Sequence, residues 1–207
     1  MQIVNALPKA FESFKKMGGC LDFTFFDEVE NDLESQMSGI SRALSSRSDF
    51  DRTKLESINH RYINENQLLG DWYDRRSGDL LSLGGFNMEN GEVLRNPRLK
   101  DLNHADVRSS VSESPDVGSG GQLAYAFSQP PYRLQASSLQ IQVVFDQIKD
   151  FILPAMERCE IIDWSDPKLP EVSSYFKDGS EWWGVFLFTV YIPANRKLSV
   201  ILGSSTD

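Results

Sequence analysis

Two short segments of this sequence combine carboxylates with tryptophan at a spacing that suits chemistry. They are Asp71-Trp72-Tyr73-Asp74 and Asp163-Trp164-Ser165-Asp166. Carboxylates beside aromatic rings are typical of carbohydrate and metal sites, where they transfer protons or bind the ion. Aspartates in turns also accept hydrogen bonds from their own backbone, so turn formation is the structural alternative for each pair. A shared site requires the two segments to converge in space.

Aromatic side chains extend this candidate site. A strand that contains Trp182 and Trp183 points one ring into the core and the other toward a groove. Tryptophan anchors binding sites well because its ring fills a pocket and excludes water. The candidate ligand-binding residues are therefore Trp72, Asp74, Asp163 and Trp182.

The stretch 22–34 is strongly acidic, with six carboxylates and no lysine or arginine. Asp27 and Glu30 have the spacing of a capping box, which predicts that a helix begins there. The helix macrodipole favours negative charge in a first turn, so a solvated helix N-terminus is the structural explanation. The functional alternative is a partner-binding face formed by Asp27, Glu28, Glu30 and Asp32.

Two other motifs carry weaker signals. His104-Ala105-Asp106 offers a base near a carboxylate, but no nucleophile is identifiable nearby and no serine lies in a GxSxG motif. Gly118-Ser119-Gly120-Gly121 lacks the Lys-Ser/Thr of a phosphate-binding loop and precedes a predicted strand rather than a helix. We therefore expect no metal site and no cofactor, and the sequence favours a protein that is not an enzyme.

Composition and charge narrow the class of protein. The chain has 207 residues, is 40% hydrophobic and carries a net charge of −9. This balance argues against binding to duplex nucleic acid, which needs clustered lysine and arginine. Cys20 and Cys159 form no CxxC motif, and residues 1–17 lack the uninterrupted apolar core of a signal peptide. We expect a cytoplasmic protein that does not enter a membrane.

The element that must position these residues is an apolar run at Trp182–Pro193. Its twelve residues carry no charge, and the run is shorter than the ~20 residues that a membrane span needs. Aromatic and β-branched residues favour a strand that is buried on both faces. Turn residues follow at 193–197, so the run predicts a hairpin with Leu198–Leu202.

Helices and further strands are predicted around this hairpin. Ser137 and Gln140 have the spacing of a capping box, at the start of a strongly amphipathic helix that Pro154 closes. The other predicted elements are helices over 8–17 and 53–64 and strands over 21–25, 123–127 and 159–164.

The middle of the chain is polar. Asn90-Gly91 predicts a hairpin turn, because both central residues of a type I′ turn need positive φ. Residues 112–121 are rich in serine and glycine and predict a loop. We predict a mobile polar insertion at about 96–121 within a single domain that spans 1–207.

Together these elements predict an α+β fold, with a mainly antiparallel sheet that ends in a C-terminal β-hairpin, helices packed on one face and a long polar loop in the middle. For function, the sequence favours a non-catalytic cytoplasmic interaction or binding module that engages a basic partner protein. The alternative is a small-ligand-binding protein or a metal-assisted hydrolase that uses the carboxylate–aromatic segments. A third possibility is an oligomer that pairs through the edge of the final hairpin.

Overall fold

A computed structural model describes residues 1–115, 122–180 and 183–205. Its centre is a six-stranded antiparallel sheet. In spatial order the strands are β1 (Gln2–Ile3), β2 (Leu21–Asp27), β11 (Lys197–Gly203), β10 (Phe186–Ile192), β9 (Glu160–Asp163) and β3 (Arg61–Ile63).

Helices of different length accompany the sheet. Within the described residues the α-helices are α1 (Lys9–Lys16), α2 (Leu33–Ser45), α3 (Arg52–Ser57), α4 (Glu65–Leu69), α5 (Leu123–Ser128), α6 (Ser138–Ile152) and α7 (Leu169–Val172). Short 3-10 helices cover Leu99–Asp101, His104–Asp106, Ser174–Phe176 and Pro193–Asn195. None of the described helices is long and apolar enough to span a bilayer. The predicted α+β class is confirmed.

The C-terminal hairpin lies in the middle of the sheet. β10 pairs with β11 from Phe186 opposite Gly203 to Ile192 opposite Lys197. The turn between them ends at Arg196, which has a left-handed φ of 53°. β9 pairs with the outer side of β10, and β2 pairs with the outer side of β11. The predicted hairpin is confirmed. The predicted pairing of two copies through the edge of this hairpin is wrong, because both of its strands already pair with a neighbouring strand of the same sheet.

Helices cover both faces of the sheet, so the prediction of helices on one face is wrong. Side chains alternate along β10, and Phe188 and Val190 pack in one cluster with α1 and α6. Leu187 and Tyr191 pack in a second cluster with α2, α3 and α7. Every residue of β10 is buried, and a strand that is apolar on both sides needs cover on both sides.

Capping side chains fix where α6 and α2 begin. Ser137 accepts a hydrogen bond from the Gln140 N–H at 3.3 Å, and the Gln140 side chain accepts from the Ser137 N–H at 3.0 Å. The predicted capping box is therefore confirmed. The predicted helix start at Asp27 is wrong, because Asp27 still belongs to β2 and pairs with β1. Asp32 caps α2 instead, by accepting from the Ser35 N–H at 2.6 Å.

Two predicted elements have a different type in the structure. The predicted strand at 123–127 is helix α5, whose six residues are all buried. A short run that is buried all round shows no periodicity that separates helix from strand. The predicted helix over 53–64 ends at Ser57, and residues 61–63 form strand β3. β3 places Arg61 opposite Asp163, a long-range pairing that no local pattern encodes.

Two smaller sheets occupy the middle of the chain. One is the hairpin of β4 (Tyr73–Asp74) and β5 (Asp79–Leu80). The other has the order β7 (Val93–Arg95), β6 (Gly84–Met88) and β8 (Val107–Ser112). The hairpin predicted at Asn90-Gly91 is confirmed, but only Gly91 has a positive φ, of 84°.

The predicted polar insertion at 96–121 contains regular structure. Its first part holds two 3-10 helices, and β8 follows them. Residues 116–121 lie outside the described residues. The mobility of this insertion and the single domain over 1–207 stay predictions.

Candidate functional site

The first carboxylate–tryptophan segment is explained by packing and turn formation. The Trp72 ring is 3% exposed and lies 4.9 Å from the Tyr125 ring. Asp74 accepts hydrogen bonds from the Arg76 N–H at 3.0 Å and from the Ser77 hydroxyl at 2.9 Å. These bonds hold the pKa of Asp74 below its usual value and shape the turn between β4 and β5. Trp72 thus belongs to the core and Asp74 to a turn.

The second segment is buried at the sheet. Asp163 is 2% exposed, and accepts hydrogen bonds from Arg61 Nη2 at 3.0 Å and from the Ser165 N–H at 2.9 Å. Trp164 is 1% exposed, and its indole N–H donates to the Thr189 hydroxyl at 2.9 Å. A buried carboxylate is stable only with such partners, so these contacts give Asp163 a structural role.

The metal-assisted alternative needs carboxylates from both segments in one coordination sphere. In the part of the chain that the structure describes, no group of three or more His, Cys, Asp or Glu side chains is placed to hold a metal ion. The two segments therefore do not meet in a shared metal site. The remaining candidate ligand residue, Trp182, lies outside the described residues.

The weaker motifs do not form a site either. Asp106 accepts a hydrogen bond from the Asn103 side-chain amide at 2.8 Å, which explains its carboxylate without His104. Burial lowers the pKa of His104, and the charge of Arg133 lowers it further. The glycine-rich motif at 118–121 lies outside the described residues.

Carboxylates gather where β2 ends and β9 begins, and we call this group the acidic rim. Its members are Asp27, Glu28, Glu30, Asp32 and Glu160. The Asn31 side chain donates to Glu160 at 3.3 Å and ties the loop after β2 to β9. Burial raises the pKa of Tyr191, and the charge of Arg196 lowers it. The negative charges of Glu30, Glu160 and Asp32 raise this pKa further. Three rim carboxylates, Glu30, Asp32 and Glu160, thus act electrostatically on the Tyr191 hydroxyl.

The turn between β10 and β11 holds the rim loop in place. Val29 is 1% exposed, its N–H donates to the Arg196 carbonyl at 3.0 Å, and its carbonyl accepts from the Tyr191 hydroxyl at 3.1 Å. Glu28 has φ 56°, a left-handed conformation that costs a non-glycine residue roughly 1–2 kcal/mol. Such strain persists only where the surroundings impose it, and it is concentrated at functional sites. The loop thus presents its carboxylates in a fixed arrangement.

The rim carboxylates form few ion pairs within the described chain. Among the described residues, Glu30 alone of the rim forms an ion pair, with Arg196. Within the described chain, Glu28 and Asp32 accept hydrogen bonds only from uncharged donors, a side-chain amide and a backbone N–H. One oxygen of Asp27 is buried and has no hydrogen-bond donor within the described chain. Most of the rim carboxylates therefore have no ion-pair partner within the described chain.

The opposite end of β2 is compensated. Asp22 accepts from Lys15 Nζ at 2.7 Å, from Arg47 Nε at 3.4 Å and from the Tyr175 hydroxyl at 2.8 Å. Burial raises the pKa of Asp22, but Lys15, Tyr175 and Arg47 outweigh burial and hold the pKa below its usual 3.8. Two cations thus pair with the carboxylate at one end of β2, whereas Asp27 at the other end forms no ion pair within the described chain.

Sequence reasoning missed an apolar groove between α1 and α6. Leu139 and Val143 are 61% and 47% exposed and lie one helical turn apart. With Met17 and Ala136 they line a groove of about 440 Å³. The signal in the sequence is that both residues fall outside the buried stripe of α6. Leu139 and Val143 thus give α6 apolar surface that the core does not bury.

Comparison of the chain with protein-family models, with curated proteins and with solved structures finds no match. The geometry and charges of the residues described above are therefore what point to a function.

Proposed function

We propose that this protein is a non-catalytic binding module that engages a basic surface of a partner protein through the acidic rim. The observation that carries the proposal is the contrast along β2. Lys15 and Arg47 pair with Asp22, whereas four of the five rim carboxylates have no ion pair within the described chain. Lysine and arginine side chains of a partner would supply the charge-assisted hydrogen bonds that these carboxylates lack.

Rigidity of the loop supports the proposal as much as its charge. Val29 is anchored in the core, and the left-handed Glu28 fixes the direction in which the chain continues. A site that is ordered before binding loses less conformational entropy when the partner arrives. The net charge of −9 adds long-range attraction for a basic partner, which raises the association rate and weakens as salt increases.

The alternative, a small-ligand site or hydrolase at the carboxylate–aromatic segments, has less support. The contacts of Trp72, Asp74 and Asp163 are those of core and turn residues. We place the proposed interaction in the cytoplasm, because Cys20 and Cys159 are both free thiols, the usual state in a reducing compartment.

The test compares capture of proteins from an extract of the source cells by the wild type and by a rim variant. The rim variant carries Glu28→Gln, Asp32→Asn and Glu160→Gln, which remove three charges and keep the side-chain shapes. Asparagine caps helices as well as aspartate, so α2 should keep its start. We expect a basic protein that binds the wild type and is released as salt rises from roughly 50 to 200 mM.

The captured protein is then purified and titrated against both variants and a control. The control variant, Glu89→Gln with Glu92→Gln and Asp178→Asn, removes the same charge from exposed positions outside the rim. Exposed ion pairs contribute roughly 0.2–1 kcal/mol each, so the rim variant should bind about 3- to 150-fold more weakly and the control almost normally. Equal affinity for the two variants, or no basic protein captured at either salt, would refute the proposal.

A further inference from the structure

Among the described residues, strand β8 is an open edge of the three-stranded sheet. It has six residues, and five of them are exposed. The other edge strands of the described sheets are shorter, with two residues in β1, β4 and β5 and three in β3 and β7. Proteins usually protect sheet edges by short strands, lysine or proline, because an open edge pairs with other chains. β8 contains neither lysine nor proline.

The pairing register shows which backbone groups of β8 point outward. The Glu113 N–H donates to the Leu83 carbonyl at 3.1 Å, directly opposite in the continued register of β6 and β8. Hydrogen-bonded and non-hydrogen-bonded pairs alternate in an antiparallel ladder, so Val111 is the next residue bonded to β6. The N–H and C=O groups of Ser110 and Ser112 therefore point away from β6.

Gly84 supports this assignment from the other side of β6. It lies opposite Ser112, and its own N–H and C=O bond to Asn96, at 2.8 Å and 3.0 Å, next to β7. Gly84 and Ser112 thus form a non-hydrogen-bonded pair, as the alternation requires. β8 presents a row of backbone donors and acceptors to solvent.

We propose that β8 pairs with β8 of a second copy of this chain. The two strands would run antiparallel about a two-fold axis at Ser110, so that two three-stranded sheets become one six-stranded sheet. Ser110 of each copy donates its N–H to the Ser110 carbonyl of the other. An extended backbone is the group that complements a sheet edge, and a two-fold antiparallel contact lets one surface complement itself.

The charges beside β8 favour a second copy as the occupant. No ion pair involves Arg108 or Glu113 among the described residues. A register centred on Ser110 places Arg108 opposite Ser112 of the second copy, so each guanidinium faces an uncharged residue. The strand itself carries a single positive charge, so two chains of net charge −9 can approach here without opposed carboxylates.

The first test measures molar mass by light scattering over roughly 1 μM to 1 mM protein, the range of weak to moderate complexes. We expect a concentration-dependent dimer for the wild type. Ser110→Pro removes the outward N–H without removing a bond to β6, and should weaken dimerisation by at least about tenfold. Ser110→Thr keeps the N–H and serves as the matched control.

The second test follows backbone amide exchange at low and high protein concentration. The amides of Ser110 and Ser112 should become protected only at high concentration, whereas the Val111 amide, bonded to β6, should be protected at both. Protected Val111 in Ser110→Pro shows that the variant keeps its small sheet. A protein that stays monomeric, or a dimer that forms equally in Ser110→Pro, would overturn the proposal. Protection of Ser110 only by an extended segment of another protein would overturn the assignment of the occupant.

Discussion

Truncation of Phe188 to alanine tests the central position of the C-terminal hairpin. Phe188 lies in the middle of β10 and is fully buried. Its cross-strand neighbours are Ile201 on β11 and Asp163 on β9, and α1 and α6 cover its face of the sheet. The backbone of β10 is therefore held by a paired strand on each side. It cannot move to fill the cavity that removal of the Phe188 ring would leave.

The expected loss follows from this lack of relaxation. Replacing a buried phenylalanine by alanine costs roughly 3–5 kcal/mol, and the upper end applies where the cavity stays open. We expect Phe188→Ala to lower the free energy of unfolding by about 4–5 kcal/mol, a large part of the 5–15 kcal/mol typical of a folded protein. Phe186 lies at the start of β10 opposite Gly203 and is 7% exposed, so Phe186→Ala should cost about 3 kcal/mol.

Urea denaturation measures these changes through the midpoint at constant slope. Tyr62→Ala on edge strand β3 is the control, because this side chain is 67% exposed and its loss should change stability by about 0.5 kcal/mol or less. A single cooperative transition in the wild type would also support the predicted single domain. Unchanged midpoints in both phenylalanine variants would contradict the burial of β10 in the centre of the sheet.

Three further substitutions test the polar contacts and the close approach of strands. The lowered pKa of Asp22 means that its contribution is complete above the usual 3.8 and is lost as pH falls through the lower folded value. Asp22→Asn should therefore destabilise the protein by roughly 1–3 kcal/mol at neutral pH and by less at about pH 3 in urea titrations, and an equal loss at both would contradict the ion-pair argument. The buried Gln142 side chain accepts from the Leu80 N–H at 2.8 Å, so Gln142→Leu should cost roughly 1–3 kcal/mol and speed exchange of the Leu80 amide. A Cβ at Gly84 would lie 2.1 Å from a carbonyl oxygen of β8, so Gly84→Ala should speed amide exchange along β8, whereas Gly85→Ala, which has open space, should not.

Local signals explain which elements can be predicted from the sequence. The run that forms β10 is uncharged, aromatic and β-branched, and these properties belong to the residues themselves. The capping box of Ser137 and Gln140 spans four residues and needs nothing from the rest of the chain. The start of α2 differs, because β1, a strand of two residues at the N terminus, pairs with Asp27 and extends β2. A capping pattern in the local sequence contains no information about a distant strand that pairs with the same residues.

The acidic rim shows the same limit for a candidate site. The sequence places Asp22 and Asp27 in one acidic stretch, and a count of local charge treats them alike. The fold separates them, because Lys15 at the end of α1 and Arg47 after α2 converge on Asp22, whereas Asp27 at the other end of β2 forms no ion pair within the described chain. The proposed binding role depends on which carboxylates the fold leaves without an ion pair rather than on their number. That property depends on where distant lysines and arginines come to lie, and so it emerges only with the tertiary structure.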